Sequence, residues 1–263
     1  RVLVLTIGAF GYYLAHHSEL CRQFGNVPPL ALVVLFLLHL CMTASVALIL
    51  LATVSLCRAQ IPLKDSILLT MWSSIINFFG PLQSGPAFRA VYLKKMHNVS
   101  LKNYGTATLL YYGFFALFSG LCLVSGLIAW YILLPLVGLG ILCVVLFFRS
   151  PLPIAQRLRK LPLQNTYKLG LATLFQVILT VVIYSVELHA VDASISVHQA
   201  IIYTGAANFA LFVSITPGAI GFREAFLLFS QNLHHINSAT ILSANLIDRA
   251  LYVGVLGVLF LVA

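Results

Sequence analysis

The sequence predicts an all-α, polytopic integral membrane protein, a helical bundle with two re-entrant or broken helix pairs. Hydrophobic residues make up 61% of the 263 residues, whereas Asp, Glu, Lys and Arg together make up 8%. An ordinary soluble domain has about 25% charged residues, so a water-soluble globule is excluded. Because a helix needs roughly 20 apolar residues to cross a bilayer, the length suits about six to eight embedded segments. Residues 1–263 are therefore predicted to form a single transmembrane domain with no soluble domain.

The apolar runs give the order of the segments. Residues 2–15 predict the remains of a first transmembrane helix, with native residues expected upstream of Arg1. Residues 27–57 carry no charge and predict one long, tilted span. The 46 residues between Lys102 and Arg149 are also uncharged, which is too long for one span and suits two. One further span and two interrupted runs follow, at residues 169–186, 193–222 and 225–263.

The basic residues predict the topology. The net charge is +9, and nine of the 15 Lys and Arg lie in residues 89–102 and 149–168. Short basic loops of membrane proteins lie on the cytoplasmic side. The span at 169–186 then leaves the cytoplasm, which places Glu187 and Asp192 outside. No basic tract is interleaved with aromatic residues, so nucleic acid is not expected as a partner.

The segment between residues 66 and 88 predicts a pair of half-helices that enters and leaves by one membrane face. Basic residues flank it on both sides, Arg58 and Lys64 before it and Arg89 after it. A single crossing would put one of these groups on the wrong side of the membrane. Within the segment, Gly80-Pro81 and Gly85-Pro86 cannot continue a regular helix.

A second segment near the end of the chain repeats this pattern. Both segments contain Pro-x-x-x-Gly, an upstream Asn and a following Arg: Asn77, Pro81, Gly85 and Arg89 in the first, and Asn208, Pro217, Gly221 and Arg223 in the second. Three predicted spans separate them, so the second segment should enter from the opposite face. This is the pattern of an inverted repeat with broken helices, with halves at about 27–125 and 128–263. The alternative is that Pro and Gly only kink continuous helices.

Charges within apolar sequence mark the candidate site. Arg223-Glu224 directly follows a helix breaker, and Asp248-Arg249 lies in the middle of the last apolar run. Such charges are costly inside a bilayer, so they pair or face a wet interior. One interpretation is a mutual ion pair, Glu224 with Arg249 or Asp248 with Arg223, that only fastens helices. The other is a polar cavity for an anion, in which Arg89, Arg223 and Arg249 outnumber the two carboxylates.

Weaker signals point to structure rather than chemistry. His39 is predicted to be a packed, hydrogen-bonded histidine, and Gln176 to form a hydrogen bond between helices. The five cysteines form no CxxC pair, and no HExxH, GxSxG or P-loop motif occurs. The sequence therefore indicates no catalytic residue, no metal site and no cofactor.

At its two broken segments the chain resembles the lysylphosphatidylglycerol synthase transmembrane family, which includes the flippase part of the multiple peptide resistance factor. The first signature, roughly N-x3-P-x3-G-E-x2-R-A, is matched by Asn77, Pro81, Gly85, Arg89 and Ala90, with Pro86 in place of Glu. The second, P-G-G-x-G-x-R-E-A, is matched by Pro217, Gly218, Gly221, Arg223, Glu224 and Ala225, with Ala219 in place of Gly. Arg249 matches a later arginine of the family.

The resemblance implies that the protein moves an anionic or head-group-modified lipid between leaflets. The expected partners are a phospholipid or lipid-linked substrate, the membrane, and a lipid-modifying synthase or glycosyltransferase. The expected location is a prokaryotic cytoplasmic membrane. The substrate-binding residues would be the matched positions together with Asp248: Asn77, Pro81, Gly85, Arg89, Pro217, Gly218, Gly221, Arg223, Glu224, Asp248 and Arg249. The alternatives are a membrane-bound lipid-linked glycosyl- or aminoacyl-transferase component, or a non-transporting subunit of an envelope-lipid biosynthesis complex.

Overall fold

A computed structural model describes residues 27–80, 84–125, 161–213 and 221–262, and the single positions 135, 149, 153, 156, 158 and 219. The predicted first helix at 2–15 lies outside these residues, and so does most of the second span predicted before Arg149. The described elements are helices: α1 (Pro29–Leu56), α2 (Leu63–Phe79), α3 (Ser84–His97), α4 (Leu101–Val124), α5 (Leu163–Val191), α6 (Val197–Val213), α7 (Phe222–Phe229), α8 (Gln231–His234) and α9 (Ser238–Val262). The all-α fold class is confirmed.

Four of these helices, α1, α4, α5 and α9, are long and apolar enough to cross a membrane. Large apolar side chains on their outer faces are exposed, as Leu163 (86%) and Leu261 (84%) illustrate, and such a surface suits lipid rather than water. The predicted span at 27–57 corresponds to α1. The span predicted at 169–186 corresponds to α5. This helix is longer than predicted, because it runs from Leu163 to Val191 and includes Glu187.

Helices α2 and α3 form an antiparallel hairpin, here called hairpin 1. Asp65 faces His97 at its base, Ser73 faces Arg89 in its middle, and Asn77 faces Gly85 near its tip. The residue numbers of each opposed pair add up to 162, so one register holds along the whole hairpin. Both ends of hairpin 1 consequently lie on the same side of the bundle, and a kinked continuous helix is excluded here.

Helix α6 with α7 and α8 forms a second hairpin, hairpin 2. Gln199 at the start of α6 donates a hydrogen bond to the carbonyl of His234 at the end of α8 (3.1 Å), and the ring of Tyr203 contacts the ring of His234. The chain therefore turns back between α6 and α7. On its other face α6 packs closely on α4, because a Cβ added to Gly205 would lie 2.7 Å from Leu123 Cα.

The two hairpins have their bases at opposite ends of α4. Hairpin 1 ends at His97, four residues before α4 begins at Leu101. At the other end of α4, the carbonyl of Ser125 lies 3.2 Å from Nε2 of His198 in the base of hairpin 2. With 24 residues, α4 is about 36 Å long at 1.5 Å per residue. The hairpins therefore approach the middle of the bundle from opposite directions.

Candidate functional site

A cavity of about 350 Å³ lies where the two hairpins meet. Its walls come from both hairpins and from α1, α4, α5 and α9. Six of the predicted site residues line it: Asn77, Gly85, Arg89, Arg223, Asp248 and Arg249. Asn77 and Arg249, which are 172 positions apart in the sequence, thus line the same cavity.

Of the other predicted positions, Glu224 contacts Arg249 of the cavity lining, and Gly221 contacts Glu224. Glu224 accepts the backbone N–H of Gly221 on Oε2 (2.7 Å) and the guanidinium of Arg249 on Oε1 (2.6 Å). It therefore caps the first turn of α7 and fastens that helix to α9. Pro81, Pro217 and Gly218 lie outside the described residues.

Hairpin 1 contributes a cation to the cavity wall. Nε of Arg89 donates a hydrogen bond to Oγ of Ser73 (2.6 Å), and Ser73 in turn donates to the carbonyl of Thr70. Gly85 makes this contact possible because it lets α3 lie directly against α2 at Ser73 and Asn77. Within the described part of the chain no carboxylate pairs with Arg89, whose positive charge is therefore held by neutral groups.

Hairpin 2 contributes a second arginine in a different environment. Arg223 is 7% exposed and donates to Asp248 Oδ2 (2.5 Å) and to the hydroxyl of Tyr184 (2.8 Å). Its Nε has no hydrogen-bond partner among the described residues. Buried donors are normally satisfied, so this N–H beside the cavity is available to a ligand.

The fastening interpretation offered two alternative ion pairs, and both are present. Arg223 pairs with Asp248 and Arg249 pairs with Glu224, each joining α7 to α9. Pairs of this kind satisfy the hydrogen-bonding capacity of buried charges, but their net contribution to stability is small once desolvation is counted. The two ion pairs are therefore compatible with ligand binding as well as with fastening of α7 to α9.

Glu187 is a third carboxylate close to the cavity, which the predicted count of three arginines to two carboxylates omitted. This residue was expected in an external loop, but it is 1% exposed within α5. Its Oε1 lies 3.7 Å from Nε2 of His39, which lies 3.5 Å from Oδ1 of Asp248. The three arginines are thus balanced by three carboxylates, but Arg89 and Glu187 each lack an oppositely charged arginine or carboxylate partner among the described residues.

His39, Glu187 and Asp248 form a compact buried group of one imidazole and two carboxyl groups. A ring nitrogen and two carboxylate oxygens lie within 4.8 Å of one another, and all three residues are buried. Neither Nε2 of His39 nor Oε1 of Glu187 has a hydrogen-bond partner among the described residues. The sequence indicated no such group, since it treated His39 as a packed, hydrogen-bonded histidine. Here, its Nε2 makes no hydrogen bond.

Neutral polar side chains complete the walls. The hydroxyl of Tyr111 donates to Gln176 (3.1 Å) and so joins α4 to α5, which confirms the predicted role of Gln176 between helices. On hairpin 2, Asn208 donates to the hydroxyl of Ser119 (3.0 Å). Asn77 and Asn208, the two upstream asparagines of the repeated pattern, thus both lie on the cavity.

Sequence reasoning missed several residues at this site, namely Ser73, Tyr184 and Glu187. Glu187 had a detectable signal, because a carboxylate near the end of an apolar run is costly unless it faces a polar interior. Ser73 and Tyr184 had none, since hydroxyl side chains are common in membrane helices and these two are recognisable only by their contacts with Arg89 and Arg223.

No curated protein and no solved structure matches the chain. A family model described as the lysylphosphatidylglycerol synthase TM region matches residues 1–259, which is nearly the whole chain. Four membrane-length helices and two helical hairpins around a polar cavity accompany this match. The chain is therefore an integral membrane protein that belongs to the lysylphosphatidylglycerol synthase transmembrane family.

Proposed function

We propose that this protein moves the head group of an anionic or head-group-modified phospholipid between the two leaflets of a membrane. The observation that carries the proposal is Arg89, a cation on the cavity wall that pairs with the hydroxyl of Ser73 and with no carboxylate of the described residues. A lipid phosphate would supply the missing negative charge. Arginine binds phosphate through several N–H donors at once.

A second donor supports the same ligand. Arg223 Nε lies beside the cavity without a hydrogen-bond partner in the described residues. A phosphate between Arg89 and Arg223 would contact both hairpins, while Asn77 and Asn208 offer amide groups to the rest of the head group. The cavity volume of about 350 Å³ is at the lower end of the roughly 300–1,000 Å³ of small-molecule sites, which suits a head group without its acyl chains.

In this proposal, both hairpins are re-entrant and meet near the middle of the bilayer. The helices of hairpin 1 have 17 and 14 residues, or about 25 and 21 Å, and are shorter than a hydrocarbon core of about 30 Å. The two halves, about 27–125 and 128–263, would then be an inverted repeat around a central site. The acyl chains remain in the lipid while the polar head group crosses through the cavity.

The experiment is head-group translocation in proteoliposomes that contain fluorescently labelled phosphatidylglycerol. Wild-type protein should accelerate exchange between leaflets relative to empty liposomes. Arg89→Gln should slow it about tenfold or more, which corresponds to about 1.4 kcal/mol of lost interaction. Arg89→Lys should retain part of the rate because it keeps the charge.

Lys94→Gln is the matched control, since it removes one positive charge from an exposed position of the same helix. It should leave the rate unchanged. Equal rates for wild type and Arg89→Gln would refute the role of Arg89. Chemical turnover of the labelled lipid would favour the transferase alternative, and copurification with a synthase in the absence of translocation would favour the subunit alternative.

A further inference from the structure

We infer that His39, Glu187 and Asp248 form a proton-binding site, and that occupation of the cavity by an anionic head group is coupled to uptake of a proton at this site. The inference rests on the proposed function, which it extends from the transported lipid to the co-transported ion. It starts from two atoms, Nε2 of His39 and Oε1 of Glu187, which are buried and have no hydrogen-bond partner in the described structure.

Charge balance argues for a proton at this group of three residues. Asp248 is neutralised by Arg223 at 2.5 Å, which leaves Glu187 beside a histidine. An ionised carboxylate is not stable in a dry interior without a cation. One proton shared between Glu187 and His39 makes the group neutral, and such closely spaced groups take up and release protons as a unit.

The charged neighbours of His39, Glu187 and Asp248 are consistent with one proton shared within the group. The charged and titratable groups that face it come from α5, α6, α7 and α9, and they are Tyr184, Tyr203, Arg223, Arg249 and Tyr252. Arg223 and Arg249 each already pair with a carboxylate. The tyrosines are neutral, so among the described residues no further cation is left to neutralise Glu187.

Arg223 links the proton site to the cavity. When a phosphate binds Arg223, the guanidinium shares its donors between the phosphate and Asp248, and Asp248 loses part of its counter-charge. A proton on Asp248 restores neutrality. His39 Nε2 lies 3.7 Å from Glu187 and 3.5 Å from Asp248, so it can pass a proton from one carboxyl group to the other.

The transfer balances in two steps, with the other ring nitrogen of His39 protonated throughout. The Oε1–H bond of Glu187 breaks as the Nε2–H bond of His39 forms, giving an imidazolium and a carboxylate. The Nε2–H bond then breaks as the Oδ1–H bond of Asp248 forms. Glu187 takes up a replacement proton from water. Anion and proton are bound together, and an electroneutral pair crosses the membrane.

The first test measures proton uptake on ligand binding. A short-chain phosphatidylglycerol is added to purified wild-type protein in weakly buffered detergent that contains a pH indicator. We expect uptake of about one proton per protein molecule near neutral pH, and loss of most of it in His39→Gln and Glu187→Gln. Asp192→Asn is the matched control, because it removes a carboxylate just beyond the end of the same helix as Glu187 and should keep the full uptake.

The second test measures coupling in proteoliposomes. At a ratio of one proton per lipid, a tenfold proton gradient should hold a roughly tenfold excess of labelled phosphatidylglycerol in the leaflet on the alkaline side. Empty liposomes correct for unassisted movement. Glu187→Gln should not build up this excess. Thermal unfolding of each variant shows that the fold is retained.

The outcomes separate this inference from the proposed function. Translocation by the wild type without proton uptake and without lipid accumulation overturns the inference and leaves the proposed function intact. Absence of translocation overturns the proposed function, and the uptake measurement still decides whether the proton site exists. Stoichiometric Zn²⁺ binding that is lost in His39→Gln, together with no proton uptake, also overturns the inference and identifies a metal site instead.

Discussion

Gly85 in α3 lies directly against the backbone carbonyl of Ser73 in α2, so that a Cβ on Gly85 would come within 2.7 Å of this oxygen and 2.9 Å of Asn77 Cβ. The contact brings the two arms of hairpin 1 together and sets the distance between Arg89 and Ser73. A glycine that is part of a family signature is thus explained here by packing.

Gly85→Ala should destabilise the protein, because the added methyl group must push the two arms apart. Overpacking of this kind costs about 1–3 kcal/mol, and thermal unfolding in detergent measures it. Gly105→Ala in α4 is the control, since a Cβ there meets no atom within 4 Å, and it should be neutral or stabilising by up to about 1 kcal/mol. Equal effects of the two substitutions would contradict the close packing.

The opposite orientation of the hairpins predicts a labelling pattern. Lys95→Cys in the base of hairpin 1 and Ala193→Cys before hairpin 2 are each introduced into a variant without native cysteines. The two single cysteines should react with a membrane-impermeant maleimide from opposite sides of the membrane. Both positions are exposed, and the hairpin bases next to them lie at opposite ends of α4. Reaction of both from one side would show that the hairpins do not enter from opposite faces.

The Arg223–Asp248 pair predicts strong non-additivity. Arg223→Met or Asp248→Leu alone leaves a buried charge without its partner, at a cost of about 3–5 kcal/mol, whereas removal of both should cost much less than the sum. Unfolding midpoints of the two single variants and the double variant measure the coupling. Arg223→Met combined with Lys94→Gln is the control pair and should be additive, because Lys94 lies exposed on another helix.

The backbone conformation of Ala219 predicts that replacing this residue by glycine stabilises the protein. The φ of Ala219, +57°, lies in the left-handed region, where a Cβ costs about 1–2 kcal/mol, and the family signature has glycine at this place. Ala219→Gly should therefore raise the unfolding midpoint. Ala116→Gly within α4 should lower stability by up to about 1 kcal/mol instead. A loss of stability in Ala219→Gly would show that the methyl group makes contacts that outweigh the strain.

Local patterns were sufficient to predict the helices and the hairpins. The charge-free run at 27–57 predicted α1 within two residues at each end, since length and hydropathy are read directly from sequence. Hairpin 1 was predictable because Arg58 and Arg89 restrict the topology and α2 ends directly before Gly80. The expectation that Gly85-Pro86 also breaks the helix was wrong, because both residues lie in the first turn of α3, where proline is tolerated. Each of these signals comes from neighbouring residues.

The partners across the site were harder to predict, because they are distant in sequence. Nothing near Glu187 indicates that it faces His39, 148 positions earlier. Glu187 was placed outside the membrane because the apolar run that predicts this span ends at Val186, whereas α5 continues to Val191. The predicted charge count was incomplete for the same reason: it omitted a carboxylate that only the packing of α1 on α5 brings close to His39.

The constant register of hairpin 1 limits how its length can vary. One residue inserted into one arm would rotate every following side chain by about 100° and shift it by 1.5 Å, so Arg89 would no longer face Ser73 and His97 would leave Asp65. A matching insertion in the other arm shifts the hairpin without restoring these facing pairs. Natural length changes in this part of the family should therefore concentrate at the ends of the arms rather than within them.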